Sequence, residues 1–228
     1  DAGNIHVAAF AAFIAAVEKK NSAHDFCNNP LDFIHVGNIS AHHANPDSFI
    51  GEVIEELRDT TTVWEPEKKS THKGFQTPAE INLLATPSGR LAELKSIIIA
   101  ELDSYYEKFR NERCSYMEKW PRQKDLYGWT VILKQQGHQI PHIHVTGWLS
   151  GVVYLQVVPS LNKDEGAIEF GLNSPNYKAD GLPARVHQPA AGDIVFFPSS
   201  LHHRTIPFST DTDRIVVAFD LSPDPDRH

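Results

Sequence analysis

The sequence predicts an α+β fold in which helices come first along the chain and pack on a β core. Residues 1–120 contain segments with the 3.6-residue hydrophobic period of amphipathic helices. From about Gly128 onward, short segments rich in valine, isoleucine and aromatic residues alternate with Gly, Pro, Asn and Asp turn signals. Helices followed by such strands indicate an antiparallel sandwich or small barrel with helices on its surface.

Three segments of the first part predict helices. Residues 7–17 have aromatic and aliphatic residues at helical spacing, and residues 46–57 begin with a proline, which favours the first helical turn. Residues 88–109 have the longest apolar stripe. Residues 30–40 predict a short strand and turn, and the polar segment 60–78, broken by Pro and Gly, predicts a long loop.

Six short segments of the second part predict strands. In chain order they are GWTVILK, HIHV, GVVYLQVV, GAIEFG, DIVFFP and RIVVAFDL. We therefore expect residues 1–120 to be a mostly helical flank and residues 121–228 to be the β core. The two parts are expected to form one structural domain together.

Composition and charge exclude several classes of protein. The net charge of −8 and the lack of a basic stretch argue against a nucleic-acid partner. The longest apolar run is too short to span a bilayer, and its lysines follow it, unlike those of a signal peptide. The two cysteines form no CxxC pattern, which indicates a reduced, cytoplasmic protein. Nucleotide-binding glycine motifs and a GxSxG elbow are absent from the sequence, and a homodimer is left open.

A cluster of histidines follows the first predicted strand of the β part. The stretch GHQIPHIHV contains His138, His142 and His144. In a strand, residues i and i+2 point to the same face, so His142 and His144 would converge on one point, as metal ligands must. About one H-x-H pattern is expected by chance in a chain with 13 histidines among 228 residues. The pattern alone is therefore weak evidence for a metal.

A second histidine pair lies about sixty residues later, in GDIVFFPSSLHHRTIP. His202 and His203 are predicted at a corner after a strand, and Arg214 opens the next strand. A jelly roll brings strands distant in sequence together at one end, where a third histidine could complete a metal site with open positions. Arg214 would lie deeper and could bind a carboxylate through paired hydrogen bonds.

Taken in order, these motifs resemble the Fe(II)- and 2-oxoglutarate-dependent oxygenases. More narrowly, they resemble a bacterial branch of the prolyl-hydroxylase-like group that is often found C-terminal to tetratricopeptide repeats. The matching residues are Trp129, Val131, Leu133, Gly137, Gln139, His142, His144, Gly147–Tyr154 (with Val153 in place of a Tyr), Gly192, Asp193, Phe197, Pro198, Ser199, Leu201, His203, Pro207 and Arg214. Earlier in the chain, Trp64, Pro66, Thr71, Gly74, Gln76 and Thr77 match a W-x-P…T-x-x-G-x-Q-T stretch of the same branch.

The resemblance covers most of residues 30–220 and implies a double-stranded β-helix (jelly-roll or cupin-like) core with N-terminal helices packed on one sheet. It also implies an oxygenase that uses Fe(II), 2-oxoglutarate and O2 and releases succinate and CO2. The reaction implied is hydroxylation, with a peptide, protein or amino-acid side chain as substrate.

The resemblance implies a role for several individual residues. His142, His144 and His203 become the iron ligands, and His203 is preferred to His202 because it holds the last place of F-P-S-x-L-x-H. Arg214 becomes the partner of the distal carboxylate of 2-oxoglutarate. Three further residues, His138, Gln139 and Gln76, are candidates for the substrate side because of their position, and the alternatives are a loop histidine for His138 and a purely structural loop around Gln76. Tyr154 is expected in the 2-oxoglutarate pocket, although a core tyrosine fits that position equally well.

One position departs from the better-known members, which have H-x-D or H-x-E where this chain has His144. Three neutral imidazoles leave the iron site at a charge of +2, which the 2-oxoglutarate dianion would neutralise. In an alternative, His144 is not a ligand and water fills its place. Two other functions stay open: a cupin-type three-histidine dioxygenase that does not use 2-oxoglutarate, and a non-catalytic jelly-roll binding module.

Overall fold

The structure is a computed structural model that describes residues 3–225, and its elements follow the predicted order. The helices are α1 (Ile5–Glu18), α2 (Pro46–Leu57), α3 (Gly89–Phe109) and the short α4 (Ser115–Glu118). The strands are β1 (His35–Asn38), β2 (Val63–Trp64), β3 (Thr71–Gln76), β4 (Leu126–Gln139), β5 (Leu149–Gln156), β6 (Ile168–Gly171), β7 (Ala184–His187), β8 (Asp193–Pro198), β9 (His202–Thr205) and β10 (Arg214–Leu221). The three predicted helices are confirmed. No helix within the described residues combines the length and apolarity needed to cross a bilayer.

The strands form two antiparallel sheets whose inner faces pack on each other. The larger sheet has seven strands in the order β1-β8-β5-β10-β4-β3-β2, and the smaller has three in the order β7-β6-β9. Apolar side chains of both sheets share one core, in which the rings of Phe170 (β6) and Phe197 (β8) lie 4.9 Å apart. This arrangement is the double-stranded β-helix that the sequence predicts.

The central strands of the larger sheet are buried on both faces, which explains their nearly continuous apolar sequences. Along β5, Leu149, Val153 and Leu155 join the core shared with the helices, whereas Val152 and Tyr154 face the barrel interior. This alternation is the two-residue period of a strand. One face of each central strand therefore binds the helices, and the other is free to build a site inside the barrel.

The helices cover the outer face of the larger sheet, as predicted. The apolar stripe of α3 includes Leu94, Ile98 and Leu102, all fully or almost fully buried. Tyr105, on the same stripe, is also buried, and its hydroxyl donates a hydrogen bond of 2.9 Å to the Phe33 carbonyl oxygen. A buried hydroxyl needs such a partner, because an unpaired one would destabilise the fold.

Three local predictions are wrong. The polar segment 60–78 was predicted as a loop, but it contains β2 and β3, which form a hairpin on the edge of the larger sheet. Strand pairing with β4 outweighs the low strand propensity of this segment. Residues 142–145 do not form a strand, since only His142 makes a single bridge, to His203. The predicted corner at 202–205 is the strand β9.

A close contact between Gly151 and Phe219 gives a test of the packing between β5 and β10. A Cβ atom at this position would lie 2.2 Å from Cζ of Phe219, the residue opposite it on β10. The Phe219 ring is fully buried and cannot move without disturbing its neighbours. We expect Gly151→Ala to lower the free energy of unfolding by about 1–3 kcal/mol, measured by chemical denaturation.

The matched control is Gly51→Ala in α2, where a Cβ atom would meet no atom within 4 Å. This glycine is exposed in mid-helix. Alanine there should raise stability by about 0.5–1 kcal/mol through its higher helix propensity. Equal effects of the two substitutions would contradict the close packing described at Gly151.

Candidate metal centre

Three histidines converge at one end of the barrel. His142 and His144 lie in the segment after β4, and His203 lies on β9 of the smaller sheet. One ring nitrogen from each lies within 4.8 Å of the other two, close enough for the three residues to be a candidate metal-binding group. Within residues 3–225, no other group of three or more His, Cys, Asp or Glu side chains meets in this way.

Backbone hydrogen bonds, not a regular strand, hold the three histidines together. The amide of His142 donates to the carbonyl oxygen of His203, and the amide of His203 donates to that of His142, both at 3.1 Å. The amide of His144 donates to the Ser199 carbonyl oxygen at 3.1 Å. These bonds fix the irregular segment to the corner between β8 and β9, so residues about sixty positions apart in sequence share one site.

Each ring is held by its Nδ1 atom in one tautomer. The acceptors are the Ile140 carbonyl oxygen for His142 at 2.8 Å, the Leu201 carbonyl oxygen for His203 at 3.1 Å and Asp220 Oδ1 for His144 at 2.6 Å. A carbonyl oxygen or an ionised carboxylate can only accept, so Nδ1 of these rings carries the proton and Nε2 keeps its lone pair. All three Nε2 atoms are therefore available as ligands, in the arrangement usual for histidines that bind metals.

Burial lowers the pKa of two of the three rings, those of His142 and His203. Burial is the main cause that lowers the pKa of His142 to about 3, and the neighbouring His144 lowers it further. Burial also holds the pKa of His203 well below its usual range, with smaller contributions from His142 and His144. Neutral imidazole is the form that binds metal ions, so no proton has to be displaced from these two rings near neutral pH.

Arg214 lies inside the barrel without a carboxylate partner among the described residues. It is 2% exposed, its Nε donates 3.1 Å to the Gly166 carbonyl oxygen, and its Cζ lies 4.9 Å from the Tyr154 ring centroid. The Tyr154 hydroxyl is buried and has no hydrogen-bond partner in the part of the chain that the structure describes. Burial raises the pKa of this hydroxyl to about 12, although the Arg214 charge opposes the change. Among the described residues, Arg214 thus has a carbonyl acceptor but no carboxylate, and the Tyr154 hydroxyl has no acceptor.

A small cavity joins the histidines to Arg214. Its polar lining includes the three histidines, Thr205 and Arg214, and its apolar lining includes Val152, Ile168 and Val216. A second, more open cavity lies on the other side of His142 and His144 and leads to the surface. The two cavities share Trp129 and Gln139 as well as these two histidines.

The structure brings together most of the predicted site residues. Gln139 and Gln76 line the outer cavity, and Gln76 accepts a 2.8 Å hydrogen bond from the Thr71 hydroxyl. His138 does not line either cavity, and its expected place on the substrate side stays a prediction. As the neighbour of Gln139 on β4 it faces the other way, and its ring stacks on His72 at 5.2 Å.

Strand alternation also separates the two adjacent histidines of β9. His203 faces the barrel interior, while His202 faces outward, with its ring 5.7 Å from that of Tyr177. The sequence-based preference for His203 agrees with this geometry. Asp220 was missed, although it shares the inward face of β10 with Arg214, six residues away, and that two-residue period is visible in RIVVAFD.

Comparisons with known proteins agree with this description. Residues 127–220 match the model of a family described as "Putative 2OG-Fe(II) oxygenase". The predicted cofactors, Fe(II) and 2-oxoglutarate, are those that the family's description contains. A search of curated proteins finds no match.

Solved structures with similar folds share little sequence with this chain. A prolyl-4-hydroxylase from Pseudomonas putida has a TM-score of 0.57 at 14% identity, covering 84% of this chain and 92% of its own. A prolyl hydroxylase from Trichoplax adhaerens, in complex with a hypoxia-inducible-factor peptide fragment, has a TM-score of 0.57 at 11% identity, covering 96% and 90%. HygX from Streptomyces hygroscopicus, with nickel and 2-oxoglutarate bound, has a TM-score of 0.56 at 15% identity, covering 84% and 83%.

At these identities the solved structures establish only the fold, and they confirm the double-stranded β-helix. The family match, in contrast, spans β4 to β10 and includes the three converging histidines and Arg214. The segment of this chain that is similar to the 2OG-Fe(II) oxygenase family is therefore the one that holds the candidate metal centre.

Proposed function

We propose that the protein is an Fe(II)- and 2-oxoglutarate-dependent dioxygenase that hydroxylates a peptide or amino-acid side chain. In this proposal His142, His144 and His203 hold the iron, and Arg214 binds the distal carboxylate of 2-oxoglutarate. The observation that carries the proposal is a single cavity with three available imidazole nitrogens at one end and a buried guanidinium at the other.

The inner cavity fits the two cofactors chemically. A buried arginine without a carboxylate and a buried tyrosine hydroxyl without a partner are both costly unless a ligand satisfies them. A carboxylate beside the Arg214 guanidinium in the inner cavity would supply the missing negative charge and hydrogen-bond acceptors. Three neutral nitrogen ligands with positions left open suit a non-haem ferrous ion.

Each part of the chain has a separate task in this proposal. The three histidines orient the metal, while Arg214 and Tyr154 orient 2-oxoglutarate and fix its distance from the metal. The apolar side chains of Val152, Ile168 and Val216 exclude water from the space between. When bound, iron together with 2-oxoglutarate and O2 supplies the oxidising chemistry, and succinate and CO2 are released.

The open outer cavity is the proposed entry for the substrate. It reaches His142 and His144 from the surface and is lined by polar side chains that include Gln76 and Gln139. These amides can donate and accept hydrogen bonds to a peptide backbone or a polar side chain. The fold likeness to a prolyl hydroxylase in complex with a peptide supports a peptide or protein substrate.

The direct test is succinate formation from 2-oxoglutarate with Fe(II) and O2, first alone and then with a panel of peptides. We expect turnover by the wild type and background rates for His142→Ala and Arg214→Ala. Equal rates in all three would contradict the proposal. A wild type that binds metal but releases no succinate would favour a cupin-type dioxygenase without 2-oxoglutarate, and a wild type that binds no metal would favour a binding module.

A further inference from the structure

We infer that Asp220 acts through His144 to supply the negative charge that a three-histidine ligand set lacks. This inference rests on the proposed function and concerns one of its ligands. Other oxygenases of this kind have a carboxylate in the position of His144. In this chain the carboxylate belongs to Asp220, which contacts the Nδ1 atom of His144. Asp220 is therefore a positioning residue rather than a ligand.

The contact between the two side chains is short and enclosed. Asp220 Oδ1 lies 2.6 Å from His144 Nδ1, and the Ser150 hydroxyl donates 2.7 Å to the same oxygen. The Ser199 hydroxyl lies 2.8 Å from that of Ser150, so a chain of hydroxyl groups fixes the carboxylate from behind. Asp220 is only 7% exposed.

The charge of Asp220 is directed at His144 alone. Among residues 3–225, His144 is the only basic side chain that forms an ion pair with this carboxylate. A carboxylate that accepts the Nδ1 proton makes the other ring nitrogen a stronger donor to a metal. Because both side chains are mostly buried, solvent screens this effect less than it would at the surface. The pair therefore presents a metal with an imidazole that carries part of a negative charge.

The position of Asp220 follows from the alternation of side chains along β10. Arg214, Val216, Ala218 and Asp220 lie on the inward face of β10, because side chains alternate along a strand. One strand thus carries the cation at the deep end of the inner cavity and the anion behind the metal site. Asp220 pairs in register with Ser150 on β5, which is why that hydroxyl is available as its donor.

The test measures metal affinity, not turnover. Co(II) is titrated into the purified protein, and its visible absorption reports both the affinity and the ligand geometry. Asp220→Asn keeps the shape and an acceptor oxygen but removes the charge. We expect its Co(II) affinity to fall by about 10–100-fold, the range typical of lost partners of metal-bound histidines.

The matched control is Asp193→Asn, because Asp193 is another buried aspartate paired with a histidine. It is 9% exposed and lies 3.0 Å from His187 Nε2, outside the proposed metal site. This control should keep the Co(II) affinity and spectrum of the wild type even if its melting temperature falls. Ser150→Ala, which removes one donor but keeps the charge, should weaken Co(II) binding less than Asp220→Asn does, and it serves as a second variant should the latter not fold.

A double-mutant cycle separates an effect through His144 from a general structural effect. We expect Asp220→Asn to cause no further loss of Co(II) affinity when His144 is already alanine. The inference is overturned if Asp220→Asn binds Co(II) within about twofold of the wild type, or if the losses add fully in the double variant. A wild type that binds no divalent metal would instead overturn the proposed function, and this inference with it.

Discussion

Replacing His203 with alanine should abolish metal binding and 2-oxoglutarate turnover together. His203 is the only one of the three converging histidines that lies on the smaller sheet, and its backbone also forms the bridge to His142. Alanine keeps that bridge, since only the side chain is removed. Losing a direct ligand should weaken Co(II) or Fe(II) affinity by more than about 100-fold. That is the largest loss usual for a residue that only hydrogen-bonds to a metal ligand. Equilibrium dialysis and succinate release measure the two effects.

The neighbouring histidine gives the control for this experiment. His202 has almost the same burial as His203, 7% against 5% exposed, but its ring faces Tyr177 on the outer side. His202→Ala should therefore change stability by a similar amount while leaving metal affinity unchanged. A loss of metal binding in His202→Ala, or its retention in His203→Ala, would contradict the assignment of His203.

Much of the fold could be predicted because its hydrophobic periods are strong. The stripe of α3 and the apolar runs of β5, β8 and β10 each identify an element correctly. The hairpin β2–β3 could not be recognised, since β2 has only two residues and β3 contains a glycine among mostly polar residues. Its strands form because β4 extends far enough to pair with β3, and pairing partners are not visible in a local pattern.

In the candidate site, too, local sequence patterns identify some residues, whereas contacts between distant residues are visible only in the structure. The H-x-H pair and His203 stand in recognisable motifs, and the structure does bring the three rings together. The reason first given for His142 and His144, alternation along a strand, is wrong, because hydrogen bonds to His203 and Ser199 position them. Asp220 belongs to no motif and lies 76 positions from His144, so only the folded chain reveals their contact.

Replacing Arg214 with methionine should separate 2-oxoglutarate binding from both metal binding and stability. Removing a buried, well-bonded polar side chain normally destabilises a protein. Arg214, however, is a buried charge whose acceptor among the described residues is a single carbonyl oxygen, and burial already lowers its pKa. Methionine has a similar length and removes the desolvated charge, so the free energy of unfolding of the cofactor-free protein should stay the same or rise.

The harmful effect of Arg214→Met should appear only when 2-oxoglutarate is added. Losing the guanidinium should weaken its binding by about 2–5 kcal/mol, the range for a buried charge partner, while Co(II) affinity stays at the wild-type level. Arg204→Met is the control, since Arg204 lies on the outer side of β9 and binds Glu169 at 2.8 and 2.9 Å. Titration calorimetry with metal and then 2-oxoglutarate measures both steps. The opposite result would be an Arg214→Met protein that is strongly destabilised yet still binds 2-oxoglutarate. It would mean that Arg214 stabilises the fold, because contacts within the protein would then compensate for burying its charge.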